Sequence, residues 1–380
     1  MENNLIEPRL STYLHTKAAA KGVPVSGTFE LTPRCNLACR MCYVRMSAAE
    51  ERAAGCELTA DEWLRIAEAA RAKGMLFLLL TGGEPLVRED FRPLFTELKK
   101  MGFMISINSN ASLINDDWLE FFAKEPPFRF NISLYGAQNE AYESLCGAPS
   151  GSHICDRVKA NIRALREIGI GVKLNLSLTP YNRAELADIW QIANELSVPL
   201  QAATYMFPPT RRDSEQTGGD RFSPDEEAAC AIEWDKLRFD AAQFRTRAEA
   251  MVRGCQLPSD CECEGSPDRG VKCRAGRSTF WINWKGDMTP CGMMNGPAVS
   301  VRDVGFDAAW EFIRGETAKI QLPAECSSCR LRNACHVCAA ACVCETGRFD
   351  GKPEHICRAT EKTVELAARE LEKKGNQNGN

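Results

Sequence analysis

Residues 35–43 read Cys35-Asn36-Leu37-Ala38-Cys39-Arg40-Met41-Cys42-Tyr43, a C-x3-C-x2-C run placed directly after a strand candidate at residues 28–31. Thiolates are metal ligands, and structural zinc takes four such donors in a tetrahedron. No fourth Cys or His lies near this run, so three thiolates suit a cubane iron-sulfur cluster better than zinc. Three protein ligands for four irons leave one iron open, and an open position is what a catalytic metal needs. A zinc half-site or a chance trio is the competing reading.

Outward from this run the chain alternates strand and helix patterns. Strand candidates follow at 75–81, 104–108, 128–134, 172–178 and 200–205, and helix candidates at 59–73, 89–100, 115–123, 156–168 and 183–196, after a helical lead-in at 5–21. Thr59 with Glu62 three residues on makes a capping box. Repeated βα units build a parallel sheet, either open or closed into a barrel. Ligand sites in such folds form at the carboxyl ends of strands. Here each end carries polar or thiol groups: Cys35; Gly82-Gly83-Glu84; Asn108-Ser109-Asn110; Ser133; Ser177 and Thr179; and Tyr205. A site reached from six consecutive strand ends implies a sheet curved around its ligand. The expected fold is therefore α/β, a partial (β/α)6 TIM-like barrel, followed by a small Cys-rich α+β domain.

Composition narrows the function. The chain has 380 residues, 44% hydrophobic and 26% charged, which is ordinary globular composition. A net charge of -4 supplies no broad field for nucleic acid or anionic lipid. No signal peptide and no membrane-length apolar run is visible, which points to the cytoplasm. In that reducing compartment 19 cysteines against 4 histidines argue for metal or cluster ligation over disulfides.

With Thr81-Gly82-Gly83-Glu84-Pro85 following an apolar strand, the chain resembles the radical S-adenosylmethionine (radical SAM) superfamily over about residues 25–207. Adjacent glycines permit close backbone approach to a ligand, and a carboxylate beside them can accept from a ligand ammonium. The resemblance implies that Cys35, Cys39 and Cys42 hold a 4Fe-4S cluster whose open iron is chelated by SAM, and that Gly82, Gly83 and Glu84 hold the SAM amino group. It further implies that Asn108, Asn110 and Ser133 meet the ribose and carboxylate. The position before the third cysteine, often aromatic in the family, is Met41, with Tyr43 just after it, which implies a repacked adenine contact. A flavodoxin or ferredoxin would be the electron donor.

A second cysteine region begins at Cys273 and runs through Gly286, Cys291, Cys326, Cys329, Cys335 and Cys338 to Cys357. It resembles the SPASM extension that follows many radical SAM barrels, with Cys335-His336-Val337-Cys338 through Thr346-Gly347 similar to its closing segment. The resemblance implies one auxiliary 4Fe-4S cluster on Cys273, Cys291 and Cys338, and a second on Cys326, Cys329, Cys335 and Cys357. Thiols are in surplus: Cys342 or Cys344 could replace Cys338, and Cys255, Cys261 or Cys263 could add a fourth ligand to the first auxiliary cluster. Zinc ribbons are the competing reading, because C-x2-C spacings serve zinc equally well. Cys56, Cys146, Cys155 and Cys230 read as buried inert thiols, and His15, His153 and His355 as surface or loop residues; His336 could be a donor behind a cluster ligand. Arg211-Arg212 reads as a solvated loop or a contact for an acidic substrate.

The expected domains are a lead-in at 1–24, a barrel at 25–207, a linker and helix at 208–254, an auxiliary-cluster domain at 255–358 and a terminal helix and tail at 359–380. The expected activity is SAM cleavage to a 5'-deoxyadenosyl radical that abstracts hydrogen from a substrate, with the auxiliary clusters taking up the leftover electron or anchoring the substrate. A ribosomally made peptide, matured by thioether or carbon-carbon crosslinking, is the first choice. With about 25 residues before the first strand, too few for a peptide-binding domain, the peptide would need a separate carrier protein or direct recognition by the barrel. Small-molecule or tetrapyrrole-type oxidation is the alternative, and a non-catalytic iron-sulfur or zinc protein the reading of another class.

Overall fold

The computed structural model describes residues 9–211, 220–256, 269–335 and 337–375. After α1 (Arg9–Lys21), the chain runs β1 (Ser26–Glu30), α2 (Ala48–Ala54), α3 (Ala60–Ala72), β2 (Phe77–Thr81), α4 (Phe91–Lys100) and β3 (Met104–Ser109). It continues through α5 (Asp116–Lys124), β4 (Arg129–Ser133), α6 (Asn139–Cys146), α7 (Ile154–Glu167), β5 (Val172–Ser177), α8 (Leu186–Glu195) and β6 (Leu200–Ala203). The last part comprises α9 (Pro224–Arg238), α10 (Ala241–Gln256), β7 (Thr279–Ile282), β8 (Asp287–Thr289), β9 (Val299–Ser300), α11 (Val301–Lys319), α12 (Ala339–Thr346) and α13 (Glu354–Gly375).

The six expected strands pair in parallel in sequence order, the arrangement of a partial TIM-like barrel. Period-two patterning builds it. In β3 and β5, Ile105, Ile107, Leu174 and Leu176 are buried toward the helices, while Ser106, Asn108, Lys173 and Asn175 between them stay half-exposed. The helices answer with an apolar stripe at spacings of three and four, Trp63, Ile66, Ala67 and Ala70 in α3 and Phe91, Leu94, Phe95 and Leu98 in α4. Trp63 stacks on Phe29 of β1 with ring centroids 4.7 Å apart. The capping box at Thr59 is present, its N–H donating to Glu62 at 2.8 Å.

Beyond residue 207 the structure departs from expectation. Within the segment expected to be a separate auxiliary-cluster domain, β7 pairs in parallel with β1 as a seventh strand of the main sheet; β8 and β9 follow antiparallel. The sheet is thus continuous across the expected boundary. The stretch at 208–254, expected to hold a linker and one helix, holds two, α9 and α10, which meet α13 through Ile232, Phe244, Ala248 and Ala367. This part also holds α11, kinked at Gly305, and an α13 that starts ahead of the expected 359 and so carries Cys357. Among the described residues, no helix is long and apolar enough to cross a membrane.

Candidate cluster and SAM site

The loop after β1 carries Cys35, Cys39 and Cys42, all half-buried, and charged side chains from two later elements hold it. Arg88, itself buried, donates to Leu31 O at 2.9 Å, to Leu58 O at 3.2 Å and to Glu57 at 3.2 Å. Arg34, next to Cys35, forms a two-pronged pair with Glu57 at 2.9 Å on each arm, and Thr32 donates to the same carboxylate. The turn after β2 docks on this loop: Gly83 N donates to Thr32 O at 2.7 Å and Glu84 N to Arg34 O at 2.8 Å. A Cβ on Gly82 would lie 2.4 Å from Thr32 O, and one on Gly83 2.3 Å from Arg34 O. The glycines therefore make room for the cysteine loop's own backbone, where sequence reasoning gave that room to a ligand.

The Glu84 carboxylate was expected to face a ligand ammonium. It is fully buried and accepts from Ser109 Oγ at 2.9 Å, Asn110 N at 2.7 Å and Leu86 N at 3.2 Å, so it locks the end of β2 to the end of β3. Burial pushes this carboxyl up to about 7 against the pull of those donors. Asn110 donates to Cys35 Sγ at 3.7 Å and to Asn36 at 3.0 Å, which places it behind a cysteine. Asn108 bridges strands, donating to Thr81 and accepting from Asn131 at 2.8 Å. Ser133 ends β4, where its carbonyl accepts from the Tyr142 hydroxyl at 3.0 Å.

Tyr43 lies where the barrel meets the C-terminal segment. Burial and the neighbouring Glu30, Cys42 and Cys291 push its phenol up, while Arg211 pulls it down. Cys42 of the first run and Cys291 of the second region thus share a neighbour. Arg211 is not a solvated side chain: it packs against Glu30, donating at 2.9 and 2.8 Å, and Trp281 Nε1 donates to the same carboxylate at 2.8 Å. Arg212 lies outside the described residues.

Cys273, Cys291, Cys326, Cys329, Cys335, Cys338 and Cys357 all line one cavity of about 720 Å³. Their sulfurs fall into two neighbourhoods. Cys291 feels Cys338 and Cys273, while Cys326 feels Cys335 and Cys329, and Cys357 feels Cys335 and Cys326. Cys342 is fully buried in α12 behind them, and Cys344 lines a different cavity, of about 850 Å³, where it donates to Met293 O. Cys261, Cys263 and His336 lie outside the described residues, and of Cys255 only its place in α10 is described.

The donor sets fit iron-sulfur clusters. Backbone N–H groups point at sulfur from Leu37 to Cys35 at 3.4 Å, Arg45 to Cys42 at 3.2 Å, Met293 to Cys291 at 3.5 Å and Leu331 to Cys329 at 3.4 Å, the bonds that stabilise thiolates on iron. Without metal, burial pushes the Cys35 thiol up to about 12 and that of Cys291 to about 11, so these groups favour their protonated form until a cation holds the thiolate. Arg45 Nε, beside the first run, and Asn131 Oδ1, beside Asn108, are buried polar atoms without a protein partner, as expected next to a polar ligand. Among the described residues, no three His, Cys, Asp or Glu side chains converge on a single-ion position.

Other expectations need correction. Cys56 is exposed; Cys155 and Cys230 are buried as expected. His15 is buried against Ser278 Oγ at 2.9 Å, and His355 sits on α13 facing Glu227 at 2.7 Å, so neither is a surface or loop residue. Glu30, Glu57, Arg88 and Asn131 were missed. Only Glu30 left a trace in sequence, a carboxylate between Phe29 and Leu31 at the end of an apolar strand.

Residues 29–192 match the model of the Radical SAM superfamily. The AdoMet-dependent heme synthase of Methanosarcina barkeri is 25% identical over 350 residues, 88% of this chain and 97% of that protein. The PqqA peptide cyclase of Bradyrhizobium diazoefficiens is 27% identical over 188 residues, 49% of this chain and 48% of the relative. The crystal structure of Streptococcus suis SuiB bound to precursor peptide SuiA matches with a TM-score of 0.61 at 19% identity, over 92% of this chain and 80% of that one, a likeness of fold.

Proposed function

We propose, from the match of residues 29–192 to the Radical SAM superfamily model, that this chain is a radical SAM enzyme that oxidises its substrate with a SAM-binding 4Fe-4S cluster on Cys35, Cys39 and Cys42 and two auxiliary 4Fe-4S clusters. Cys273, Cys291 and Cys338 hold one auxiliary cluster; Cys326, Cys329, Cys335 and Cys357 hold the other. The observation that carries this reading is the cavity lined by all seven of those cysteines. When bound, the first cluster and SAM supply a 5'-deoxyadenosyl radical, and the auxiliary pair supplies an exit for the electron left by hydrogen abstraction.

The chain's own residues orient the reactants. Glu57 and Arg88 fix the cysteine loop, and Glu84 holds the ends of β2 and β3 in register beside it. Asn108, Asn110 and Ser133 at the strand ends, joined by Asn131, present amide and hydroxyl groups to a ribose and carboxylate, and Tyr43 flanks the adenine side. The reaction belongs to the cytoplasm, with a flavodoxin or ferredoxin as electron donor.

The substrate assigned is a ribosomally made peptide, crosslinked through a thioether or carbon-carbon bond and delivered by a separate carrier. The peptide cyclase named above and the fold shared with SuiB support it. A second reading, oxidation of a tetrapyrrole-type small molecule, is favoured by the heme synthase, 97% of whose length this chain matches. Anaerobic reconstitution tests the core of the proposal: about twelve irons per chain, four for each cubane, and deoxyadenosine on reduction with SAM. About four irons would remove the auxiliary clusters, and no deoxyadenosine would remove the activity. The mass of the product decides the substrate, since a peptide encoded beside this gene would lose two hydrogens and a propionate-bearing porphyrin would lose carbon dioxide together with two hydrogens for each side chain oxidised to a vinyl group.

A further inference from the structure

A row of polar side chains crosses the inner face of the curved sheet, the face turned away from the helices. In it Asn108 of β3 stands opposite Asn131 of β4, and Asn131 opposite Lys173 of β5. Asn108 donates to Thr81 at 3.4 Å, Asn131 donates to Asn108 at 2.8 Å, and Lys173 donates to Gln201 of β6. The row is open at one point, between Asn131 and Lys173. Asn131 is 8% exposed, and its side-chain oxygen has no partner. Two residues earlier on the same face of β4, Arg129 has a buried Nε that also lacks one. Four such atoms occur among the described residues, so two of them meet at this one opening. Buried polar atoms without a protein partner mark the place of a further polar group.

The charge at the opening is one-sided. Arg129 and Lys173 are half-buried, and among the described residues neither meets a carboxylate; the charge that acts on Lys173 is that of Arg129. Two cations set side by side and partly stripped of water cost free energy until an anion joins them. The Glu30 carboxylate is already committed to Arg211 and Trp281, and that of Glu84 to the end of β3. A carboxylate from outside the chain can accept from the guanidinium and the ammonium together. The SAM carboxylate is not that group, because it belongs beside the cysteine loop at the carboxyl ends of the strands. Arg129 begins β4 and Ser133 ends it, a separation of four residues or about 13 Å along the strand.

Resting on the reading of this chain as a radical SAM enzyme that works inside its barrel, we propose that Arg129 and Lys173 form a subsite for a carboxylate of the substrate, a propionate or an acidic side chain. Calorimetric titration of the reconstituted full-length holoenzyme with SAM present tests it with paired probes. One pair is mesoporphyrin IX, a dipropionate porphyrin, and its dimethyl ester; the other is a Gly-Ser peptide with one central glutamate and its glutamine twin. An acidic probe should bind the wild type more tightly than its neutral twin. Arg129→Gln and Lys173→Gln should each weaken that probe about tenfold or more, with the neutral twin unaffected and Lys173→Arg close to wild type. Whether the porphyrin or the peptide shows this pattern names the source of the carboxylate. Each glutamine variant removes one of two repelling cations, so neither should melt below the wild type, and should one fail to fold, the other decides. The inference is overturned if neither acidic probe binds better than its twin, if the variants weaken both twins equally, or if they weaken SAM binding and leave the acidic probe unchanged. A wild type that binds an acidic probe yet forms no deoxyadenosine on reduction overturns the radical SAM reading and leaves the carboxylate subsite standing.

Discussion

Arg211 donates to Glu30 at 2.8 Å with its side chain 6% exposed and that of Glu30 fully buried, so a charge pair sealed from water joins the end of β1 to the segment after β6. Trp281 of β7 adds a third donor to the same carboxylate. A buried carboxylate stripped of its cation is costly, while removal of both charges is far milder. Arg211→Met should cost about 3–5 kcal/mol by urea denaturation. The Glu30→Gln, Arg211→Met double variant should recover more than half of that loss.

Gly83→Ala should disturb the cysteine loop from outside it. The new Cβ would lie 2.3 Å from Arg34 O, next to Cys35, and neither backbone can yield without moving the other. A cost of about 1–3 kcal/mol is expected for such overpacking. Iron analysis should show the loss of about a third of the bound iron, one cubane in three, with deoxyadenosine formation gone.

Cys338 and Cys342 stand four residues apart, but only Cys338 lines the cysteine cavity. Cys338→Ala should lower the iron content and bleach part of the visible charge-transfer absorption. Cys342→Ala and Cys344→Ala should leave both within error, the first at a core-cavity cost of about 1 kcal/mol or more. Iron loss in Cys342→Ala equal to that in Cys338→Ala would reverse the order of the two.

Glu84 should give the apoprotein a pH-dependent stability. Its folded value of about 7 lies above the ordinary 4.5, so the folded state holds the proton more tightly than the unfolded chain. That contribution is complete below the unfolded value and is lost as pH rises through about 7, a swing on the order of 3 kcal/mol. Glu84→Gln does not titrate. The stability of the wild type relative to Glu84→Gln, measured by thermal unfolding under reductant, should therefore fall between pH 5 and pH 8.

The six parallel strands, the capping box at Thr59 and the cysteine grouping were legible because each rests on local rules. Alternation marks the half-buried strands, and Cys-x2-Cys spacing survives any fold that brings its ends together. Less was legible after residue 207. There β7 is short, and its pairing with β1 joins residues some 250 positions apart, which no local pattern reports. The helix α11 was hidden by Gly305, which interrupts its apolar stripe.

At the site itself, sequence alone determined which residue types are available: three thiols after one strand, two glycines and a carboxylate after the next, and twelve cysteines from Cys255 to Cys357. It did so because such spacings are short-range and chemically specific. Only the tertiary structure decided what each group faces. It turned the glycines toward Thr32 and Arg34, gave the Glu84 carboxylate three protein donors, buried Arg211 on Glu30 and docked the cysteine loop on the last carbonyls of α6. These contacts join segments distant in the chain, and they depend on how the helices pack around the sheet, a property of the whole core.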